Sequence, residues 1–331
     1  MNLRRRRLSI ALVVTVTAVL GFAHTAPAAG VRTGVVDVTT NLAYQNASAA
    51  GTGIVLTASG EILTNNHVIR GATTIRVTDP STGRSYAATA VGYSVANDVA
   101  ILQLTGASHL HAVTVGNSSN VRVGQKVTAV GNAGGVGGRP AVAVGKVTGI
   151  GRSIVASDGA GISEQLTNMI RVDAALQPGD SGGPLLNAKG RVIGMDTAGS
   201  STLASNAATE GYAIPINRAV SLAKQIVAGN SSATVHIGST PFIGISVGPP
   251  ADPATVGLQI VQIVPGSPAE LAGLAVGDTI TAVNGQPVGS YDALTSLLLK
   301  FNAGATLTVD WLDAAGAAQT ATIQTTAGPP Q

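Results

Sequence analysis

Short runs of Val, Ile, Leu and Thr, each closed by a turn rich in glycine, asparagine or proline, follow one another from Val36 to about Ile214. Runs of this length suit strands, which average about 5–6 residues, better than helices. Gly53-Ile54-Val55-Leu56 and Glu61-Ile62-Leu63-Thr64 predict a hairpin around Ala58-Ser59-Gly60. Pro184-Leu185-Leu186 and residues 191–195 predict another across Asn187-Ala188-Lys189-Gly190. Further strands are expected at 74–77, 99–104, 126–130, 142–149 and 169–172. Strands spaced this evenly favour barrels or a sandwich, and the 42 glycines suit the many turns required. One segment breaks the rhythm: Val220, Ala223, Ile226 and Val227 share a helical face over 217–227, and Gly229 follows as a stop.

Gly229-Asn230-Ser231-Ser232 is small and polar, so a domain boundary is expected there. Beyond it strands and helices mix. Residues 257–264 predict a strand and 268–274 a short helix. Asn284-Gly285 between two apolar runs predicts a hairpin. Ser290 is a candidate N-cap for a helix to Phe301 with Leu294, Leu297, Leu298 and Phe301 on one face, and strands are expected at 306–312 and 319–325. A length of 331 residues suits two such units.

The N-terminus is of another kind. Arg4 to Arg7 precede an apolar run over 8–22, and Ala26-Pro27-Ala28 supplies small residues for a cleavage site. This order predicts a secretory signal peptide over 1–28 and an exported product, secreted or held in the cell envelope. The alternative is an uncleaved anchor, although the run is short of the roughly twenty residues a membrane-spanning helix needs. Without those four arginines the balance is 15 basic residues against 16 acidic, so the net charge of +3 does not mark a nucleic-acid surface.

The chain contains no cysteine. This excludes a disulfide framework, a thiolate metal site and a cysteine nucleophile. Three polar clusters remain: Thr64-Asn65-Asn66-His67-Val68 after a strand, Asn97-Asp98-Val99 before one, and Gly179-Asp180-Ser181-Gly182-Gly183-Pro184 in a glycine turn. Taken singly, each reads as an ordinary loop, cap or turn. Together they supply what nucleophilic acyl transfer requires. A serine hydroxyl is a weak nucleophile near neutral pH and needs an adjacent base. His67 can take the proton of Ser181 and pass it to a leaving amine, while Asp98 holds the other ring nitrogen. A glycine-rich turn can aim the amides of Gly179 and Ser181, with Asp180 between them, at one oxyanion.

With these residues the sequence resembles the chymotrypsin-fold serine proteases and, more closely, the high-temperature-requirement (HtrA/DegP) family. Residues 64–68, 98–102 and 173–184 look like its three signature stretches, and Gly211-Tyr212-Ala213-Ile214-Pro215-Ile216 is similar to the strand before its last protease helix. The resemblance runs from about residue 36 to 325. It implies a mostly β protein: a chymotrypsin-like double β-barrel over 29–229, a linker at 230–233 and a small α+β PDZ domain over 234–328. Many members of the family carry Asn where this chain has Asp180, and the backbone amide is the same for either residue.

The resemblance also implies sites and partners. Ala175 and Leu176 would lie at the base of the primary specificity pocket, with Ala213 and Ile214 as a wall. With no carboxylate among them, cleavage after small or medium apolar residues is expected. Phe242, Ile243, Gly244 and Ile245 look like the carboxylate loop and first strand of a PDZ groove, which would bind a peptide C-terminus by strand addition. Expected partners are protein and peptide substrates, unfolded ones above all, and peptide C-termini, but not nucleic acid. No cofactor is expected. A homotrimer stays open, because residues 29–43 carry no aromatic and Tyr44 comes first. The alternative reading of the whole is a non-catalytic chaperone or peptide-binding protein on the same fold.

Other motifs draw blander readings. Residues 131–138 resemble a phosphate loop but lack the Lys-Ser/Thr ending, so a surface loop is expected. His109 and His111 have no third partner in the sequence pattern, so no metal site is assigned. Asn46, Asn117 and Asn230 lie in glycosylation-type triplets.

Overall fold

A computed structural model describes residues 30–157, 163–197, 210–250, 252 and 254–331. The expected signal peptide lies outside the described residues.

Twelve strands build two barrels. The first takes β1 (Val35–Leu42), β2 (Ala47–Val55), β3 (Glu61–Thr64), β4 (Thr74–Asp79), β5 (Arg84–Ser94) and β6 (Val99–Leu104). They pair in the order β5-β4-β1-β2-β3-β6, and β6 pairs back with β5 to close the ring. The second takes β7 (Lys126–Gly131), β8 (Ala141–Ser157), β9 (Ser163–Val172), β10 (Pro184–Asn187), β11 (Val192–Thr197) and β12 (Gly211–Pro215), closed in the order β10-β11-β12-β9-β8-β7. Closure removes the unpaired edges that an open sheet would expose.

Three apolar cores follow from strand alternation, because successive side chains leave opposite faces. Val36, Val38, Ile62, Val77 and Leu102 fill the first barrel. Val127, Ala129, Val172, Leu185 and Ala213 fill the second. Ile54, Leu63, Ile101, Leu186, Met195 and Ile214 meet between the two. A one-turn helix α1 (Asn66–Ile69) follows β3, and α2 (Ile216–Val227) follows β12. Helix α2 buries Ala219, Ala223 and Ile226 against the seam between the barrels.

The expected linker at 230–233 does not end the first unit. His236 and Ile237 form β13 and pair with Tyr93 and Gly92 of β5, so the first sheet gains a strand from beyond the linker. A strand of two residues gives no sequence signal of the edge it will join.

The last unit contains β14 (Thr240–Phe242), β15 (Ile245–Gly248), β16 (Leu258–Ile263), α3 (Pro268–Leu271), β17 (Thr279–Val283), β18 (Gln286–Pro287), α4 (Tyr291–Leu298), β19 (Thr306–Leu312), β20 (Ala318–Gln324) and β21 (Thr326–Gly328). One sheet runs β15-β16-β17-β19-β20, with β18 on β17, and β14 pairs with β21 apart from it. Helix α4 starts at the expected cap, where Ser290 Oγ accepts the Ala293 N–H at 3.2 Å, and it buries Leu294 and Leu297. It ends at Leu298 rather than Phe301, where the chain turns out toward β19.

Candidate active site

The cleft between the barrels collects groups from both. Thr64 ends β3, and the next residues turn into α1, which carries His67. Asp98 closes a tight turn after β5 and takes a left-handed conformation (φ 51°), which Asp tolerates better than most residues. His67 Nδ1 lies 3.0 Å from both carboxylate oxygens of Asp98. The His67 N–H donates to Asp98 Oδ1 at 3.0 Å, and Thr197 Oγ1 donates to Oδ2 at 3.2 Å. Asp98 is 1 % exposed, so these donors replace the water its charge has lost. The Asn65 side-chain amide donates to the Asp98 carbonyl at 2.9 Å, which ties the two loops together.

Support for Asp98 extends further than the sequence motif. Arg218 on α2 donates to Asn97 Oδ1 at 3.0 Å and to the Thr167 carbonyl at 2.8 Å. Asn97 in turn donates to Ser94 Oγ at 2.7 Å. The turn before Asp98 is therefore pinned by the last helix of the barrel pair. An isolated arginine on an amphipathic helix looks like surface charge in sequence.

Ser181 lies in the turn before β10 and is 4 % exposed. Its turn is held from three sides. The Thr52 N–H donates to the Ser181 carbonyl at 2.8 Å. The Gly182 N–H donates to the Asp196 carbonyl at 2.8 Å, and the Asp196 N–H donates to the Gly183 carbonyl at 2.7 Å. Within the turn, the Gly183 N–H closes onto the Asp180 carbonyl at 2.9 Å. Gly179 (φ 96°) and Gly182 (φ 87°) take conformations closed to other residues, and a Cβ on either would come within 2.1 Å of a carbonyl oxygen.

Residues 131–138 are more than the surface loop expected. The Gly134 N–H donates to the Pro178 carbonyl at 2.7 Å, and Asn132 is buried behind Gly179. Gly131 serves close approach, since a Cβ there would meet Asp180.

Two carboxyl groups with no cationic partner among the described residues stand next to this turn. Burial raises the pKa of Asp180, although the Gln177 N–H donates to its Oδ2 at 2.9 Å. Burial, and then the neighbouring Asp180, push Asp196 well above the ordinary carboxylate range. Neither oxygen of Asp196 has a hydrogen-bond partner among the described residues.

The structure separates the four residues expected to line a pocket. Ala175 is exposed and Leu176 half-buried. Ala213 joins the core of the second barrel, against which Leu176 packs, whereas Ile214 points the other way, between the barrels. Adjacent strand residues cannot share a wall, so Ile214 leaves the set.

In the last unit, Ile243 and Gly244 are buried beside α3: the Ala269 N–H donates to the Ile243 carbonyl and the Val264 N–H to the Gly244 carbonyl, each at 2.8 Å. Phe242 instead stacks on Tyr44 of the first barrel with ring centroids 5.1 Å apart. A cleft of about 440 Å³ runs from His67 and Arg70 past Ile245 to Leu294 and Leu298 of α4, and Pro329, Pro330 and Gln331 also line it.

Comparison with known proteins places these features in a family. Residues 51–195 match the trypsin-like peptidase domain and residues 259–310 the PDZ domain. The chain is 33 % identical to serine protease PepD of Mycobacterium tuberculosis over 318 residues, 91 % of this chain and 65 % of PepD. It is 35 % identical to the putative serine protease HhoA of Synechocystis over 274 residues, 79 % of this chain and 67 % of HhoA. It is 34 % identical to the periplasmic serine endoprotease DegP of Escherichia coli, covering 81 % of this chain and 55 % of DegP. The chain thus spans about half to two thirds of the length of the curated relatives it matches. Among solved structures, the HtrA-type protease AlgW with tripeptide superposes with a TM-score of 0.51 at 27 % identity, covering 90 % of this chain and 94 % of AlgW.

Proposed function

As the chain belongs to the HtrA-type serine protease family, we propose that it is an endopeptidase working through an acyl-enzyme on Ser181, with His67 as the base and Asp98 as its orienter. The observation that carries this reading is the His67 ring held by a buried Asp98 carboxylate, 3.0 Å away. That contact selects the tautomer with its proton on Nδ1 and leaves Nε2 to take the proton of Ser181 as Oγ attacks a peptide carbonyl. The imidazolium then formed is stabilised by Asp98 and protonates the departing amine. Water repeats the sequence to release the acid.

The N–H groups of Gly179 and Ser181 face the oxyanion of the tetrahedral intermediate in this reading. In a trans peptide the carbonyl and N–H point in opposite directions. The Pro178 carbonyl is directed at Gly134 and the Asp180 carbonyl at Gly183, which turns both following N–H groups the other way. Asp180 does not alter this, since only backbone is used.

The substrate side extends from the same geometry. Ala175, Leu176 and Ala213 carry no charge, and this supports cleavage after small or medium apolar side chains such as Val, Ala or Leu. Strand β15 is the terminal strand of its sheet and shares a cleft with α4 and residues 329–331, which suits strand addition by a peptide C-terminus, with N–H groups near Phe242–Gly244 on its carboxylate. Together with the N-terminal signal pattern, this describes an exported enzyme that handles unfolded extracytoplasmic proteins without a cofactor.

The test is incubation of wild type and Ser181→Ala with casein or a quenched peptide, alongside labelling by a fluorophosphonate probe. Cleavage and labelling are expected in wild type and neither in the variant. Equal rates in the two, zero included, would instead favour a peptide-binding protein or chaperone on this fold.

A further inference from the structure

Thr52, in the middle of β2, is 0 % exposed and every polar atom it owns is engaged on the catalytic cleft. Its N–H donates to the Ser181 carbonyl at 2.8 Å. Its hydroxyl donates to the Gly179 carbonyl at 2.7 Å and accepts the Asn132 N–H at 2.8 Å. Its carbonyl accepts the Thr64 hydroxyl at 2.7 Å, three residues before His67. One residue of the first barrel therefore joins the base-bearing segment, the nucleophile turn and the glycine loop of the second barrel.

The consequence lies at Gly179. With φ at 96° and no side chain, this residue has no internal preference that would hold its two flanking peptides in place. The peptide before it is anchored through the Pro178 carbonyl on Gly134. The peptide after it is anchored through its own carbonyl on the Thr52 hydroxyl. The same hydroxyl holds Asn132, which opens the loop that carries Gly134. Removing the hydroxyl would release one side of Gly179 directly and loosen the anchor on the other.

We propose that Thr52 is a positioning residue for catalysis, whose hydroxyl sets the orientation of the Gly179 amide without touching substrate. The proposal rests on the protease reading above. An oxyanion donor acts mainly in the transition state, so displacing one lowers kcat and leaves KM nearly unchanged. Deleting a donor costs about 100–1,000-fold in kcat, and displacing it is expected to cost about 10–100-fold.

The experiment measures kcat and KM on a quenched peptide for full-length wild type, Thr52→Val, Thr52→Ser and Ser181→Ala. The expected result is a kcat lowered about 10–100-fold in Thr52→Val with KM within about threefold, and near-wild-type kcat in Thr52→Ser. Should Thr52→Val not fold, Thr52→Ala against Thr52→Ser makes the same comparison, because both lose the methyl and only one loses the hydroxyl. An unchanged kcat in the hydroxyl-free variant, or a Thr52→Ser as impaired as that variant, overturns the proposal. A Ser181→Ala as active as wild type sinks the protease reading instead.

Discussion

Asp196 occupies a position where an ionised carboxylate would be costly: fully buried, with both oxygens unpartnered among the described residues and Asp180 nearby. Burial and then the Asp180 charge raise its folded pKa well above the usual carboxylate value, so the folded state is expected to hold a proton that the unfolded chain releases. Stability from this group is full below the usual carboxylate pKa and is lost as pH rises toward the folded value. Urea denaturation of wild type and Asp196→Asn across the range from about pH 4 to about pH 8 should show the wild type losing ground to the variant as pH rises. Parallel curves would mean that Asp196 is ionised in the fold. The acid was hidden in sequence because Val192–Thr197 reads as an ordinary strand and nothing local marks its contact with the Ser181 turn. His67, Asp98 and Ser181 stand out in the sequence for the opposite reason: the chemistry proposed for them demands those residue types. Thr52 and Arg218 were not, since a threonine in a strand and an arginine on a helix are commonplace and act here only through contacts far along the chain.

Elements were legible where local forces suffice. Helix α4 is announced by Ser290, whose hydroxyl satisfies a backbone donor that would otherwise be exposed. Ser290→Ala is expected to lower stability by about 1 kcal/mol, seen as a shift of the unfolding midpoint in denaturant without a change in slope. A midpoint equal to wild type would show that the cap contributes nothing. Strand β19 was equally plain, because Leu307, Val309 and Trp311 alternate with more exposed residues and face the core. Strand β5 was missed: Arg84–Ser94 is rich in Ala, Ser and Gly, and its pairing with β4 and β6 supplies what its side chains do not. Helix α1 is a single turn, too short for any periodicity to register. The loop at 131–138 was read as bare surface because its task, receiving the Pro178 carbonyl, is performed by a backbone N–H that has no sequence signature.

The two halves of the molecule meet through contacts that cross the whole length of the chain. Tyr44 stacks on Phe242, and the Tyr93 hydroxyl hydrogen-bonds Thr240 while burial pushes its pKa up to about 12. The Gly71 N–H donates to the Pro330 carbonyl at 2.7 Å, and the Asn66 side chain donates to the Gln331 carbonyl at 2.8 Å, next to His67. The final segment thus straps the PDZ unit to α1, which carries His67. Deleting residues 329–331 is expected to loosen this docking and raise the radius of gyration in small-angle X-ray scattering. An unchanged value would show that the aromatic stack and β13 suffice. The amino-acid order alone carried the strand rhythm, the two-unit division, the capped helix and the three polar motifs around His67, Asp98 and Ser181, because periodicity, turn chemistry and residue type are local or compositional properties. Which barrel contributes the joint at Thr52, which carboxyl groups are buried side by side, where Ile214 points and what the last residues grip were settled by folding, because each depends on groups separated by tens to hundreds of residues that become neighbours when the barrels close.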